Sequence, residues 1–187
     1  MQGRRDTPAE TGERPDVRVL ISSEELQARI GELAEAITAD YDGTCPVLIC
    51  VLKGAIFFIA DLTRRLPFDL EIDFMAVSSY GQSSESSGVV RVLKDLDTDI
   101  KGRHVLIVED IIDSGLTLQY LIKTLKARNP ASLEVVTLLS KPSRRIADLE
   151  CRYTGFEIRN EFVVGYGLDH AEEYRSLSYI GVADDPE

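Results

Sequence analysis

The sequence predicts an α/β fold with a central, mostly parallel sheet flanked by helices. Short continuous apolar runs such as PVLICVL at 46–52 are typical of strands buried on both faces of a parallel sheet. Segments whose apolar residues recur at helical spacing lie between these runs. Because strands that alternate with helices form parallel sheets with right-handed crossovers, the alternation predicts the fold class.

The first predicted helix spans residues 22–43. Its apolar residues recur at helical spacing, at Leu26, Ile30, Leu33 and Ile37. Ser22 and Glu25 match a capping box at its start, and Gly43 lies beyond its end. After the strand at 46–52, the pattern predicts a helix at 53–66 and a longer alternating strand at 68–80.

The small polar segment GQSSESSG at 81–88 is predicted to be a mobile loop over a site, because it separates two strand-like segments. Farther along, the chain predicts a buried strand at 104–110, a helix at 114–129 and a third buried strand at 132–141. Residues 151–187 have a shorter-ranged pattern. We expect them to fold back, with N-terminal residues, as a small hood rather than as a second domain.

Length and charge limit the function classes. The chain has 187 residues, which suits a single domain at 17–187, and the polar residues 1–16 are predicted to be a disordered tail. The formal net charge of -11 argues against nucleic acid or an anionic membrane as a partner. It still allows a small anionic ligand held in a pocket of amides, Lys and Mg²⁺.

Cysteine and histidine usage favours a cytoplasmic protein. The chain has three cysteines and two histidines, with no CxxC pair, so reduced thiols are expected and a zinc site is not. No apolar stretch of 18 residues is present, and the N-terminus has no apolar segment of a secretory signal.

The segment VLIVEDIIDSGLT at 105–117 carries the strongest functional signal. In open α/β sheets, ligands bind beyond the carboxyl ends of the strands, where Glu109 and Asp110 are predicted to lie. The free N–H groups of a helix start, with the hydroxyls of Ser114 and Thr117, form a cradle for a phosphate. Two acids beside that cradle fit the hydroxyls of a sugar phosphate or a metal, and Asp113 is placed to act as a general base.

A phosphate site competes with simpler roles for the same segment. The acids could be ordinary loop and N-cap residues, but two adjacent acids that end a buried strand before such a turn are rare. The patterns GxxxxGK[ST] and GxGxxG are both absent, which argues against an ATPase and a dinucleotide-binding protein.

The segment resembles the phosphoribosyl-diphosphate (PRPP) binding motif of the type I phosphoribosyltransferases. Over about residues 18–182, the chain is similar in order and spacing to the hypoxanthine-guanine members of that family. The stretches that carry this similarity are VLKGAIFFIADL at 51–62, SSYGQSSESSG at 78–88, LLSKPSRR at 138–145 and FVVGYGLDHAEEYR at 162–175.

The resemblance implies a role for each matching residue on the PRPP side. The 5-phosphate would be bound by the loop Asp113, Ser114, Gly115, Leu116 and Thr117. Glu109 and Asp110 would face the ribose hydroxyls and a Mg²⁺ ion. Leu116 stands where some relatives carry Lys, but its amide can still bind phosphate. Asp113 would take or relay a proton at the purine N7.

The pyrophosphate and purine would be bound by other segments. The resemblance places pyrophosphate on Lys53, Gly54 and Arg175, with a cis peptide bond before Lys53, and gives Asp169 a second Mg²⁺. Lys141 would donate to the 6-oxo group of the purine. Phe162 would stack on the base, and the backbone of Val163 would bond its edge. Ser79 and Tyr80 would close over the site with the mobile loop.

Two alternatives remain open at this point. One is an RNA-binding regulator on the same fold, which would need a basic face that the sequence does not provide outside KPSRR. The other is a phosphoribosyltransferase for xanthine or another base. Relatives form homodimers and homotetramers, so a homo-oligomer that acts on PRPP and a 6-oxopurine is expected.

Overall fold

A computed structural model describes residues 17–79 and 90–183. The strands in chain order are β1 (Val17–Ile21), β2 (Val47–Leu52), β3 (Glu71–Ser79), β4 (Val90–Lys94), β5 (His104–Ile112), β6 (Ser132–Ser140), β7 (Tyr153–Glu157), β8 (Val163–Val164) and β9 (Ile180–Ala183). The helices are α1 (Ser23–Tyr41), α2 (Ile56–Thr63) and α3 (Leu116–Lys126), and a short 3-10 helix spans Pro142–Arg144. The predicted tail at 1–16 and the predicted loop at 81–88 lie outside the described residues.

The central sheet has six strands in the order β4-β3-β2-β5-β6-β7. Strand β4 pairs antiparallel with β3, and the other neighbours run parallel. Strand β5 therefore lies in the interior of the sheet, between β2 and β6. The sheet confirms the predicted fold class and places the end of β5 at the carboxyl edge, where ligands of such sheets bind.

Helices cover both faces of this sheet. Along β2, Leu48 and Cys50 pack in one apolar cluster with α1 and α2, whereas Val47 and Ile49 pack in a second cluster with α3. Side chains of a strand alternate between its faces, so a fully apolar strand supplies two cores at once. This explains why β2 has no polar residue.

Helix α1 follows its sequence signals closely. The Glu25 amide donates to Ser22 Oγ at 3.2 Å, and the Ser22 amide donates to Glu25 Oε2 at 2.8 Å, which completes the predicted capping box. Gly43 follows the helix with a φ of 73°, in the left-handed region that favours glycine. Among the described residues, no helix is both long enough and apolar enough to cross a membrane.

Several predicted element boundaries were wrong, and three of them lie beside the site. Helix α2 begins at Ile56 rather than at residue 53, because 53–55 form a tight turn beside the site. Helix α3 begins at Leu116 rather than at residue 114, since the preceding residues form the loop. Strand β5 continues to Ile112, two residues beyond its predicted end.

The C-terminal third was predicted to form only the hood, and this was wrong for one strand. Strand β7 joins the central sheet as its sixth strand, parallel to β6. Gly155 permits this, because a Cβ there would lie 2.4 Å from the Leu138 carbonyl oxygen. Only glycine lets the two backbones approach so closely.

The hood itself is a small antiparallel sheet in the order β1-β9-β8. It joins the first described residues to the last, with Val17 opposite Ala183 and Val163 opposite Val182. The predicted hood of N-terminal and C-terminal residues is therefore confirmed. Its own apolar cluster contains Val17, Val164 and Tyr179.

Candidate active site

Two adjacent carboxylates lie near the carboxyl end of β5. Glu109 is 7% exposed and Asp110 is partly buried. Burial raises the pKa of Glu109 well above its ordinary value, and the charge of Asp110 raises it further. Burial also raises the pKa of Asp110, to about 6, although a hydrogen bond from the Ile111 amide and the charge of Arg175 oppose this. A cation or a hydrogen-bond donor bound beside this pair would stabilise the charged carboxylates.

The loop behind these acids encloses a cavity of about 210 Å³. The cavity is lined by Val51, Glu109, Asp110, Ile111, Ile112, Asp113, Ser114, Gly115, Thr117 and Leu118. Gly115 caps α3 with a φ of 80° and offers no side-chain cap, and the first amide of the helix, of Leu116, makes only a long hydrogen bond of 3.5 Å to Ser114 Oγ. The amides at the start of α3 are thus available to an anion, as the sequence predicts for a phosphate loop.

The loop that follows β6 holds the predicted phosphate loop, residues 113–117, in place. The amides of Ile146 and Ala147 both donate to the Ser114 carbonyl, at 3.0 and 3.1 Å. The Arg144 guanidinium donates to Asp113 Oδ1 at 3.1 Å. The sequence pattern assigns Arg144 no role, although this residue lies within the segment LLSKPSRR.

A second loop approaches the acids from β2. The peptide bond between Leu52 and Lys53 is cis, as the resemblance implies. A Cβ at Gly54 would lie 1.5 Å from Asp110 Oδ2, so no larger residue fits beside that carboxylate. Gly54 is therefore required for the close approach of this loop to the end of β5.

The segment after β8 completes this side of the site. Gly167 has a φ of 102°, and a Cβ there would lie 2.0 Å from the Gly54 carbonyl oxygen. Arg175 donates to the Gly167 carbonyl at 2.8 Å and pairs with Asp169 Oδ1 at 2.8 Å. Three loops that are distant in sequence thus pack together, with Gly54 between Asp110 and Gly167.

The two predicted pyrophosphate-binding cations share one carboxylate. Lys53 Nζ lies 2.9 Å from Glu172 Oε1, and the Arg175 guanidinium lies 3.3 Å from Glu172 Oε2. The Glu172 amide donates to Asp169 Oδ2 at 2.9 Å. The structure therefore brings Lys53, Arg175 and Asp169 together through Glu172, a residue that no sequence signal singles out.

Lys141 is buried at the end of β6. It is 7% exposed, and its amide donates to the Ile112 carbonyl at 2.9 Å, which places it beside the phosphate loop. Its ammonium makes no hydrogen bond or ion pair with any residue of 17–79 or 90–183. Most of the side chain is buried while the ammonium is left without a protein acceptor in that part of the chain, so this site is suited to a ligand that accepts a hydrogen bond.

Phe162 is not a core residue, although its apolar sequence neighbours suggest one. It is 42% exposed, and its ring meets the edge of His170 at 5.4 Å between centroids. Val163, the next residue, is buried in β8. A partly exposed aromatic ring therefore lies beside a buried strand, and such a ring can stack on a base.

The predicted closing residues are placed only in part. Ser79 ends β3 and pairs through its backbone with Val90, but nothing is described of its side chain. Tyr80 lies outside the described residues.

Residues 22–171 match the family of phosphoribosyl transferase domains. This match covers both the phosphate loop and the loop at Lys53, and it ends within the segment that carries Asp169. The chain belongs to the phosphoribosyl transferase family.

Individual relatives narrow the class. The hypoxanthine-guanine phosphoribosyltransferase of Mycobacterium tuberculosis is 56% identical over an alignment of 187 positions, which covers 95% of this chain and 93% of that protein. The Bacillus subtilis protein of the same name is 55% identical over 165 residues, which cover 88% of this chain and 92% of that protein. A solved structure of a Bacillus anthracis hypoxanthine-guanine phosphoribosyltransferase has a TM-score of 0.86 and 49% identity. The match covers 89% of this chain and 98% of that chain. Within the family, the chain groups with the hypoxanthine-guanine phosphoribosyltransferases.

Proposed function

We propose that this protein is a purine salvage enzyme. It transfers the 5-phosphoribosyl group from PRPP to hypoxanthine, guanine or both, giving IMP or GMP and pyrophosphate. The observation that carries the proposal is the arrangement at one sheet edge. Buried Glu109 lies beside partly buried Asp110, the start of α3 has no side-chain cap at Gly115, and the ammonium of Lys141 has no partner among residues 17–79 and 90–183. These three features match the ribose, the phosphate and the oxo group of a nucleotide.

On the PRPP side, the loop from Asp113 to Thr117 binds the 5-phosphate. The amides at the start of α3, where Gly115 supplies no side-chain cap, donate to this anion, and the hydroxyls of Ser114 and Thr117 add donors. Glu109 and Asp110 accept hydrogen bonds from the ribose hydroxyls. The ribose is thereby fixed with its reactive carbon above the loop.

The leaving group is bound by the loop at Lys53 and Gly54 and by Arg175. Charge builds on the pyrophosphate as its bond to the ribose breaks, so cations aimed at it stabilise the transition state. The contacts of Arg175 with the Gly167 carbonyl and Asp169 support this role, because they hold the guanidinium in place before substrate arrives.

The purine lies between Lys141 and Phe162. The Lys141 ammonium donates to the 6-oxo group, which disfavours adenine, because adenine presents an amino donor there. Phe162 stacks on the base, and the Val163 backbone bonds its edge. Asp113 takes or relays the proton at N7. Ser79 and Tyr80 close over the site and exclude water.

Mg²⁺ is the proposed metal, with Glu109 and Asp110 at one ion and Asp169 at a second. Among the described residues, no cluster of three or more His, Cys, Asp or Glu side chains encloses a metal. This donor set fits Mg²⁺, which is usually held by one or two carboxylates with water and substrate phosphates. The raised pKa values of Glu109 and Asp110 support the fit, since burial disfavours their charged forms and a bound cation would offset that cost. Mg²⁺ would neutralise the phosphates of PRPP.

The proposed setting is the cytoplasm, where the protein acts on small molecules as a homodimer or homotetramer. All three cysteines are free, which suits a reducing compartment.

The test is a transfer assay with purified protein, PRPP and Mg²⁺, run in parallel on hypoxanthine, guanine, xanthine and adenine. We expect Mg²⁺-dependent formation of IMP and GMP and little reaction with adenine. A folded protein that binds PRPP but turns over none of the four bases would contradict the proposed purine site.

A further inference from the structure

One carboxylate contacts both cations of the proposed pyrophosphate site. Glu172 Oε1 accepts from Lys53 Nζ at 2.9 Å, and Glu172 Oε2 lies 3.3 Å from Arg175 Nη2. The hydrogen bond to Lys53 is the main reason that the pKa of Glu172 lies below its ordinary value. A side-chain anion thus occupies the same two donors that the departing pyrophosphate requires.

The backbone holds Glu172 in this position. Ala171 and Glu172 have φ values of 51° and 67°, and His170 and Glu173 close a two-residue hairpin with hydrogen bonds of 3.3 and 2.9 Å. Such turns favour Asn-Gly, because both central residues have positive φ. Side chains other than Gly, Asn and Asp are uncommon in this conformation, and such strain is often found at functional sites. The turn presents the Glu172 carboxylate toward Lys53 and Arg175.

We propose that Glu172 is a positioning residue that acts as a built-in counter-anion, holding Lys53 and Arg175 until pyrophosphate displaces it. The inference rests on the proposed function, because it assigns pyrophosphate to these cations. The side chains of Glu172 and Lys53 are both 65% exposed. Exposed ion pairs are weak, so the exchange is easily reversed. Glu172 therefore competes with the pyrophosphate group, lowers its affinity and speeds its release.

The first experiment measures binding of inorganic pyrophosphate with Mg²⁺ by calorimetry, in wild type, Glu172→Gln and Glu172→Gly. Both variants remove the carboxylate, and glycine also suits the positive φ, so folding is preserved. We expect both to bind pyrophosphate about three- to tenfold more tightly at low salt, with a smaller gain at high salt. Affinity for IMP, which does not reach these cations, should not change.

The matched control is Glu35→Gln, which removes one exposed carboxylate from the middle of α1 and leaves the site intact. Its pyrophosphate affinity should equal that of wild type. Unchanged or weaker pyrophosphate binding in both Glu172 variants, from protein that makes IMP, would overturn the role of Glu172 and leave the enzyme assignment standing. Wild-type protein that neither makes IMP nor binds pyrophosphate would overturn both.

Discussion

At the scale of single residues, Asp113, the proposed general base, lines the cavity behind the acid pair. Its side chain is 45% exposed and bonded to Arg144, so one carboxylate oxygen is oriented while the group stays accessible to substrate. A base must reach the proton that it removes, so accessibility is required. Asparagine keeps the size and an oxygen that accepts from Arg144.

We therefore expect Asp113→Asn to lower turnover about 10²- to 10⁴-fold, since the variant lacks the group that accepts the proton. The dissociation constant of PRPP should stay within a few-fold of wild type, because amides and hydroxyls bind the 5-phosphate. Steady-state kinetics and PRPP calorimetry measure the two effects. Unchanged turnover would exclude Asp113 as the base.

Lys141 differs from Asp113, because the residue is buried and its ammonium has no partner among the described residues. We expect Lys141→Ala to weaken 6-oxopurine binding by about 10- to 100-fold, the range for a hydrogen bond to a charged group. PRPP binding should change about twofold or less. Competitive binding of hypoxanthine and of PRPP checks this difference.

Lys101→Ala is the matched control, because it removes an exposed lysine from a turn. It should alter neither affinity. Equal losses for the purine and for PRPP in Lys141→Ala would count against recognition of the base by Lys141.

At the scale of elements, Asp73 ties β3 to the loop that follows β4. It is 4% exposed, and its carboxylate accepts three backbone hydrogen bonds, from Phe74 at 2.7 Å, Asp97 at 2.9 Å and Thr98 at 2.8 Å. Burial alone would raise the pKa of Asp73, but these amides outweigh burial and lower it. The ionised carboxylate therefore stabilises the edge of the central sheet.

Asp73→Asn should lower the free energy of unfolding by about 2–3 kcal/mol at pH 7, because the amide has only one oxygen to accept from three donors. A lowered pKa means that the stabilisation is complete above the ordinary pKa of Asp. It is lost as pH falls through the folded-state value, so the difference between wild type and variant should shrink below about pH 4. Urea unfolding across pH measures this.

Asp69→Asn serves as the control, since Asp69 is exposed before β3. Its effect should stay within about 0.5 kcal/mol at pH 7. A difference between wild type and Asp73→Asn that stays constant from pH 7 to pH 3 would refute the assigned role of the charge.

At the scale of the whole molecule, the hood is fixed to the body through Tyr166. This residue follows β8, is 6% exposed, and donates its hydroxyl to Asp61 on α2. Burial, with the hydrogen bond to Asp61, raises the pKa of Tyr166, so the hydroxyl remains a donor at neutral pH. The bond connects the segment that carries Phe162 and Asp169 to the helix that follows the loop at Lys53.

We expect Tyr166→Phe to lower the free energy of unfolding by about 1.5–3 kcal/mol, the cost of losing a hydrogen bond to a charged group. The purine KM should also rise, because the hood carries the stacking ring. Denaturant unfolding and steady-state kinetics test both effects. Tyr120→Phe is the control, since Tyr120 is 37% exposed on α3. Equal stability of the two variants would rule out the proposed link.

The sequence by itself determined the features that depend on residues close together in the chain, namely the strands, the start of α1 and the loop after β5. Apolar runs defined the parallel strands, because a strand buried on both faces needs no polar residue, and the capping box defined the start of α1. The acids at Glu109 and Asp110 and the loop to Thr117 were also evident, since their chemistry lies within one short segment.

Tertiary structure alone decided which distant residues meet. The contact of Gly54 with Asp110 and Gly167, the pairing of Arg144 with Asp113, and the capture of Lys53 by Glu172 all join loops far apart in the chain. No periodicity reports such contacts, because they depend on the turns that end each strand. For the same reason, the sequence pattern places β7 in the hood, whereas the strand completes the central sheet.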